Sequence, residues 1–406
     1  MNIQQMRDKL KQHNQEHLLR FWDQLEPGQQ KALHTQITGI DFSMIGRLEQ
    51  DNAPKGDIAP IPTMRLQEIA EQKDKFEAAG LEALRAGKVG AVLLAGGQGT
   101  RLGFHGPKGS LNIGETRELY LFEQLIRNTM AVTEKTGAWI PFYIMTSGRN
   151  NVDTVAFFNE HQYFGYNKEY IRFFTQDMAP SVDLNGKILL DEADKISLSP
   201  NGNGGWFSSM IRAGLLDDIH ARGVEWLNVF SVDNPLQRIA DPVFVGATIL
   251  SGCHAGAKGV RKKDSYERVG VMCLEGGRPS IFEYYELTDE FRFAKDGEGR
   301  YLYDFGVILN YLFEVEKLTE IAHQPLPLHM AEKKIPHIGA DRQKVEPTEP
   351  NGYKFETLIL DLIRNMETCL PFEVEREKEF APIKNKTGTD SLETARALMK
   401  RNGIEL

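Results

Sequence analysis

Hydrophobic positions divide the chain into two regimes. Up to about residue 87 they recur near helical spacing in a polar background. Leu10, Leu18, Leu19, Phe21, Trp22 and Leu25 form one such stripe, and a second helical stretch runs from Met64 to Ala86 and ends at Gly87. Between them, Asn52 to Pro62 carries three prolines and a glycine and reads as a loop or linker. The pattern changes at Val89. The run Val89-Gly90-Ala91-Val92-Leu93-Leu94-Ala95 is continuously apolar and ends in a glycine cluster, as a buried strand feeding a loop does. A helix over Glu118 to Thr136 is expected next, then strands at Trp139 to Met145, Ile171 to Phe174 and Trp226 to Val232, with helical stretches between them. Strands that alternate with helices predict an α/β protein with a doubly wound, Rossmann-like core and a mainly parallel sheet. Val269 to Leu274 and Ile281 to Tyr285 read as shorter strands that would make the sheet mixed. The expected organisation is an N-terminal helical unit (1–87), a main domain (88–384) and a short C-terminal tail (385–406).

Charge narrows the partners. The net charge of −9 disfavours a non-specific nucleic-acid partner. It also requires any polyphosphate site to concentrate its lysines and arginines locally. Cys253, Cys273 and Cys369 are odd in number and far apart, with no CxxC pair, so neither a zinc site nor a disulfide framework is indicated. His329 and His337 flank Lys333 and Lys334 without metal-ligand spacing. The N-terminus lacks an apolar signal core and no run of about 18 apolar residues occurs, so neither a membrane partner nor secretion is expected and a cytoplasmic location is.

The chemistry concentrates after the first strand. Leu94-Ala95-Gly96-Gly97-Gln98-Gly99-Thr100-Arg101-Leu102-Gly103 is followed by Pro107-Lys108-Gly109. Glycine lets backbone N–H groups approach phosphate closely, and Arg101 and Lys108 can neutralise anionic oxygens. The dinucleotide fingerprint fails on spacing, since Gly97, Gly99 and Gly103 give G-x-G-x-x-x-G, and the Gly-Lys-Ser/Thr of a P-loop is absent. A plain tight turn is the bland alternative. Asp233 directly follows the strand Trp226 to Val232, where doubly wound proteins bind ligands. A lone carboxylate there suits Mg²⁺, which takes one or two carboxylates plus phosphate oxygens. The competing reading is a turn cap, because Asp-Asn-Pro is good turn chemistry.

The run LAGGQGTRLGFHGPKG resembles the signature of the eukaryotic-type UDP-sugar pyrophosphorylases, and within them the UDP-N-acetylhexosamine pyrophosphorylases. The resemblance continues through FYIMTSGRN (142–150), FFTQDMAP (173–180), PNGNGGW (200–206), VDNPL (232–236), VGVMC (269–273), FEYYEL (282–287), EPNGYKFE (349–356) and EFAPIKN (379–385). It implies that residues 88–384 form a catalytic nucleotidyltransferase domain that joins UTP to a sugar 1-phosphate and releases UDP-sugar and pyrophosphate. It further implies that Gly96, Gly97, Gly99 and Thr100 cradle the nucleotide, that Gln176 reads uracil and that Gly202 contacts the base. Asn203, Gly270 and Glu283 would contact the sugar, and Lys384 the phosphate of the sugar 1-phosphate. Arg101 and Lys108 would face the leaving pyrophosphate, with Mg²⁺ on Asp233.

This chain departs from the family pattern in three places. The acetamido-sugar enzymes carry an asparagine where Val307 stands, and phenylalanines where Leu358 and Leu360 stand. Their C-terminal domain is expected to be largely missing here. N-acetylglucosamine 1-phosphate is the expected acceptor, with glucose or galactose 1-phosphate left open. A nicotinamide-dependent oxidoreductase is disfavoured by the glycine spacing, and a glycosyltransferase by the lack of a paired-carboxylate metal motif. A non-catalytic UDP-sugar sensor would need only the uracil and sugar contacts, so Arg101 and Lys108 argue against it.

Overall fold

A computed structural model describes residues 2–47 and 56–406. The loop expected over Asn52 to Pro62 lies outside the described residues as far as residue 55. The chain forms two compact units: Met1–Pro54 with Asp177–Gly205 and Pro325–Ile359, and Lys55–Gln176 with Trp206–Gln324 and Leu360–Leu406.

The larger unit is built on a ten-stranded sheet: β1 (Ile58–Ala59), β2 (Val89–Leu94), β3 (Phe142–Thr146), β4 (Ile171–Thr175), β5 (Trp226–Ser231), β6 (Ala255–Arg261), β7 (Val271–Glu275), β8 (Arg278–Phe282), β9 (Phe305–Glu314) and β10 (Cys369–Glu373). β5, β2, β3 and β4 lie side by side and parallel. Every residue of β2 and β3 is buried, which accounts for their unbroken apolar runs. β9 then pairs antiparallel with β5, β6 and β7, so the sheet is mixed. From β2 the chain steps outward to β3 and β4, then returns across β2 to β5. The switch point is therefore the crevice at the carboxyl ends of β2 and β5, where open α/β sheets bind ligands.

Several expected boundaries move for local reasons. The helix begins at Leu121, not Glu118, because Leu119 and Tyr120 are extended: the Leu119 carbonyl accepts the Ile113 N–H, and Tyr120 bridges Asn112. Pro141 has no N–H to give a ladder, and β3 starts after it. The stretch from Met64 to Ala86 breaks at Gln72 into helices Leu66–Glu71 and Lys73–Arg85, and Gly87, at φ 71°, ends the second. β8 stops at Phe282, so Glu283 lies just past a strand, not within one. Residues after 384 are not loose. Helix Leu392–Arg401 is anchored by Arg396, which donates to the Ile113 and Gly114 carbonyls.

The smaller unit joins the N-terminal helical residues to a three-stranded sheet of Val182–Asp183, His329–Lys333 and Gly352–Glu356. Met6, Leu10, Leu18, Leu33 and Ile37 pack with Val182, Ile188 and Phe355 in one core. Gln15 is buried and bonds on both sides, donating to Gly186 O at 2.8 Å and accepting from Ile188 N at 2.9 Å. The residues expected as one helical unit, 1–87, therefore contribute to both units.

Candidate active site

The glycine loop emerges from β2 and is stapled to the end of β3. Asn150 is fully buried, and its Nδ2 donates to Ala95 O at 2.9 Å and Gly97 O at 3.3 Å. Its Oδ1 accepts from Ser147 N at 2.7 Å and Ser147 Oγ at 2.9 Å. The loop then doubles back: Gly99 N donates to Gly106 O at 3.1 Å, and Lys108 N to Gly97 O at 3.2 Å. That return places Lys108 beside the loop's own start. The Gln176 amide lies over Gly96; a Cβ there would sit 2.6 Å from Gln176 Nε2, so any side chain would displace that amide. Gln176 follows β4, held by Gln176 N to Thr146 O at 2.8 Å.

Asp233 leaves the end of β5, and its carboxylate accepts from Ser231 Oγ. Lys108 Nζ stands 3.6 Å from Asp233 Oδ2, an ion pair longer than a normal hydrogen bond. Burial pushes the Lys108 ammonium below its ordinary range, and Lys384 and Arg101 add to this against the opposing pull of Asp233. Burial also opposes ionisation of Asp233, but Lys108 and Lys384 outweigh it and hold the carboxyl below its usual value. Two cations, Lys108 and Lys384, thus face one carboxylate at the switch point of an acidic protein, and Arg101 acts in turn on Lys108. Lys384 is brought there by its backbone: Ile383 N donates to Asp233 O at 2.8 Å, and Lys384 N to Asp390 O at 2.7 Å.

Gly270 and Glu283 flank one end of the β7–β8 hairpin, each one residue beyond the Val271–Phe282 pair. The Gly270 carbonyl accepts from Val307 N at 2.9 Å, and the Val307 side chain lies 3.4 Å from where a Gly270 Cβ would be. An apolar group therefore occupies the position beside Gly270. Gly202 and Asn203 belong to the smaller unit. Gly202 has φ 87°, and a Cβ there would lie 2.3 Å from Thr357 O. Asn203 Oδ1 accepts from Ile359 N at 3.0 Å.

The structure thus gathers Gly96, Gly97, Gly99, Thr100, Arg101, Lys108, Gln176, Asp233 and Lys384 on loops at the carboxyl ends of β2, β4 and β5 and on the segment tied to Asp233. Gly270 and Glu283 share a hairpin end in the same unit. Among the described residues no group of three or more His, Cys, Asp or Glu side chains could hold a metal. The donor set at Asp233 fits a cation that takes one carboxylate and completes its shell with phosphate oxygens and water. Asn150, Ser231 and Asn234 were missed by sequence reasoning. Their signal is a polar side chain at the end of a parallel strand, the feature that singled out Asp233.

The family model described as UTP–glucose-1-phosphate uridylyltransferase matches residues 43–402. The chain belongs to this family. Among its relatives, the UDP-N-acetylglucosamine pyrophosphorylase of Saccharomyces cerevisiae is 38% identical over 409 residues, covering 96% of this chain and 84% of the yeast protein. The mouse UDP-N-acetylhexosamine pyrophosphorylase-like protein 1 is 35% identical over 410 residues, covering 95% of this chain and 81% of the mouse protein. The solved UDP-N-acetylglucosamine pyrophosphorylase of Trypanosoma brucei superposes with a TM-score of 0.83 at 27% identity, over 97% of this chain and 83% of that one. Membership in the uridylyltransferase family bears out the expected fold and reaction class. No helix among the described residues is long and apolar enough to cross a membrane.

Proposed function

We propose that this uridylyltransferase acts on N-acetylglucosamine 1-phosphate, with the residues gathered at the switch point carrying the reaction. A phosphate oxygen of the sugar 1-phosphate attacks the α-phosphorus of UTP. The new P–O bond forms as the bond from the α-phosphorus to the bridging oxygen breaks, and its electron pair leaves on pyrophosphate. The nucleophile is already an anion, so no general base is needed. The obstacle is bringing two polyanions together, and the answer is positioning and charge.

The observation that carries this reading is the cluster Lys108–Asp233–Lys384 beside a glycine loop whose backbone is fixed by Asn150. Lys384 neutralises the incoming phosphate. Lys108 and Arg101 take the charge that develops on pyrophosphate; the 3.6 Å separation from Asp233 leaves the Lys108 ammonium available to phosphate oxygens. Thr100 and the backbone of Gly96, Gly97 and Gly99 seat the nucleotide's phosphates. Gln176 pairs with the uracil edge, and Gly202 admits the base closely. Asn203, Gly270 and Glu283 bind the sugar. Mg²⁺ would be held by Asp233 together with the nucleotide, and when bound it supplies neutralising charge at the α-phosphate.

Val307 favours a second reading of the acceptor. An apolar side chain beside Gly270 withdraws a polar contact from the sugar, and this leaves glucose or galactose 1-phosphate as competing substrates. The test is pyrophosphate release from UTP and Mg²⁺ with a panel of N-acetylglucosamine, N-acetylgalactosamine, glucose and galactose 1-phosphates. Release should be fastest with the first and fall about a hundredfold or more in Lys108→Ala. Faster release with an unacetylated sugar would replace the proposed substrate. UDP-sugar binding without release from any sugar would favour a sensor.

A further inference from the structure

Lys258, on β6, is fully buried, and none of the roles above uses it. Its Nζ donates to Asp241 Oδ2 at 2.9 Å, Glu379 Oε2 at 2.7 Å and the Arg238 carbonyl at 3.3 Å. An ammonium has three N–H bonds, and here all three have acceptors. The Phe244 ring centroid lies 5.4 Å away, closing an apolar wall around the charge. A buried ion cluster is a poor source of stability compared with apolar packing, because desolvation of the ions consumes most of the Coulombic gain. What it ties together is therefore the better clue to its presence.

The two carboxylates sit on the two chain segments that form the charged site. Asp241 ends the segment that begins at Asp233, and it caps helix Pro242–Ser251 through Val243 N at 3.1 Å. Glu379 begins the segment that ends at Lys384. The segments are also stitched directly. Asn234, itself buried, donates from Nδ2 to Glu379 O at 2.7 Å and accepts at Oδ1 from Ala381 N at 2.9 Å. Ile383 N then reaches Asp233 O at 2.8 Å. Without Lys258, the two buried carboxylates would keep only the half-exposed Arg238, 3.7 Å from Glu379 Oε1, as a cation, and any displacement of Glu379 would move the start of the 379–384 segment.

We propose that Lys258 is a positioning residue whose ammonium clamps these two segments and so sets Lys384 against Asp233. This rests on the uridylyl-transfer reading above, in which Lys384 meets the phosphate of the sugar 1-phosphate. The clamp acts on the acceptor side of the reaction and leaves the glycine loop untouched.

The test compares Lys258→Met, Lys384→Ala and the double variant in the full chain. Lys258→Met should lower kcat/KM for the sugar 1-phosphate about thirtyfold or more, while the dissociation constant for UTP stays within about twofold. In the Lys384→Ala background it should cost less than about threefold, because both changes remove the same interaction. The amides of Ala381 and of residues 383–386 should exchange hydrogen faster in Lys258→Met, with the β2 and β3 amides unchanged. If Lys258→Met does not fold, the neutral set Asp241→Asn, Lys258→Met, Glu379→Gln carries the same comparison. Equal losses for UTP and sugar phosphate, multiplying effects in the double variant, or unaltered exchange at Ala381 and 383–386 would each overturn the proposal. Wild-type protein that releases no pyrophosphate with any sugar phosphate would overturn the catalytic reading itself, and exchange would then report separately whether the clamp exists.

Discussion

Replacing Asn150 by alanine offers the sharpest probe of the glycine loop. Its side chain makes four hydrogen bonds in a fully buried position. Gly97 O keeps a partner in the variant, since Lys108 N also donates to it. Ala95 O loses the Asn150 amide, and Ser147 N and Ser147 Oγ lose their shared acceptor, all in buried surroundings. A buried polar group left unpaired costs about 1–3 kcal/mol. Three such groups, partly relieved by rotation of the Ser147 hydroxyl and by water in the space vacated, put the loss at ~2–4 kcal/mol. The catalytic effect should exceed that of a generic destabilisation. The backbone proposed to receive the phosphates would no longer be tied to the end of β3, so KM for UTP should rise about tenfold or more, equivalent to ~1.4 kcal/mol of binding. KM for the sugar 1-phosphate should move less. Urea unfolding and initial-rate kinetics measure the two quantities independently. Asn150→Asp should fare no better, because it keeps the acceptor but turns a buried charge toward two carbonyl oxygens. An alanine variant within about 0.5 kcal/mol of wild type and unchanged in KM for UTP would refute the stapling argument.

Three further outcomes are expected. Val307→Asn should raise the preference for N-acetylglucosamine over glucose 1-phosphate by roughly three- to tenfold, the worth of one neutral hydrogen bond, read as a ratio of kcat/KM values; an unchanged ratio would show that the group beside Gly270 does not meet the sugar. Gly109→Ala would set a Cβ 2.2 Å from the Phe122 ring, costing ~1–3 kcal/mol by thermal unfolding, and Phe122→Leu in the same chain should recover part of the loss. Asp233 titrates below its ordinary range, so its contribution to stability is present above about pH 4 and is lost as pH falls through its depressed folded value. Lys384→Met removes one of the two cations responsible, so the acid limb of the stability profile should move to higher pH; a limb that stays in place would mean that Lys384 does not act on Asp233.

What was legible in the sequence follows from how far apart the causes lie. β2 could be read because a strand buried on both faces gives an unbroken apolar run, β5 because only Asn228 interrupts its own, and the glycine loop because it follows β2 directly. Once two parallel strands are placed, the position of Asp233 is a matter of chain continuity. Glu283 could not be placed as well, because β8 ends where the backbone turns and Glu286 accepts the Glu283 N–H at 2.8 Å. The helix start at Leu121 depended on Leu119 pairing with Ile113, a local loop closure that periodicity does not register. The smaller unit was further out of reach. The N-terminal stripe marks a helical face but not its cover, and that cover includes Ile188 and Phe355, far along the chain. Lys258 is the extreme case. A lysine between Ala257 and Gly259 carries no sign of burial in its neighbours, and its acceptors lie 17, 20 and 121 residues away.

The same distance argument bears on how an acidic chain handles polyanions. A net charge of −9 repels UTP at long range, but screening confines that repulsion to about 8 Å at physiological salt. Inside that range the local field decides, and Lys108 and Lys384 face one carboxylate while Arg101 acts on Lys108. Separate parts of the fold deliver these groups: Lys108 and Arg101 by the loop after β2, Asp233 by β5, and Lys384 by a segment stitched to Asp233 from the far end of the chain. Burial, and then repulsion from Lys384 and Arg101, push Lys108 toward losing its proton, and Asp233 opposes that loss. In the proposed reaction, phosphate would take over that role once substrate is bound. On the proposed reading the carboxylate has two tasks: it opposes the loss of the Lys108 proton, and it would offer Mg²⁺ a protein ligand. Asp233→Asn should therefore weaken Mg²⁺ dependence and also move the alkaline limb of activity to lower pH, whereas a carboxylate serving only as a metal ligand would leave that limb in place.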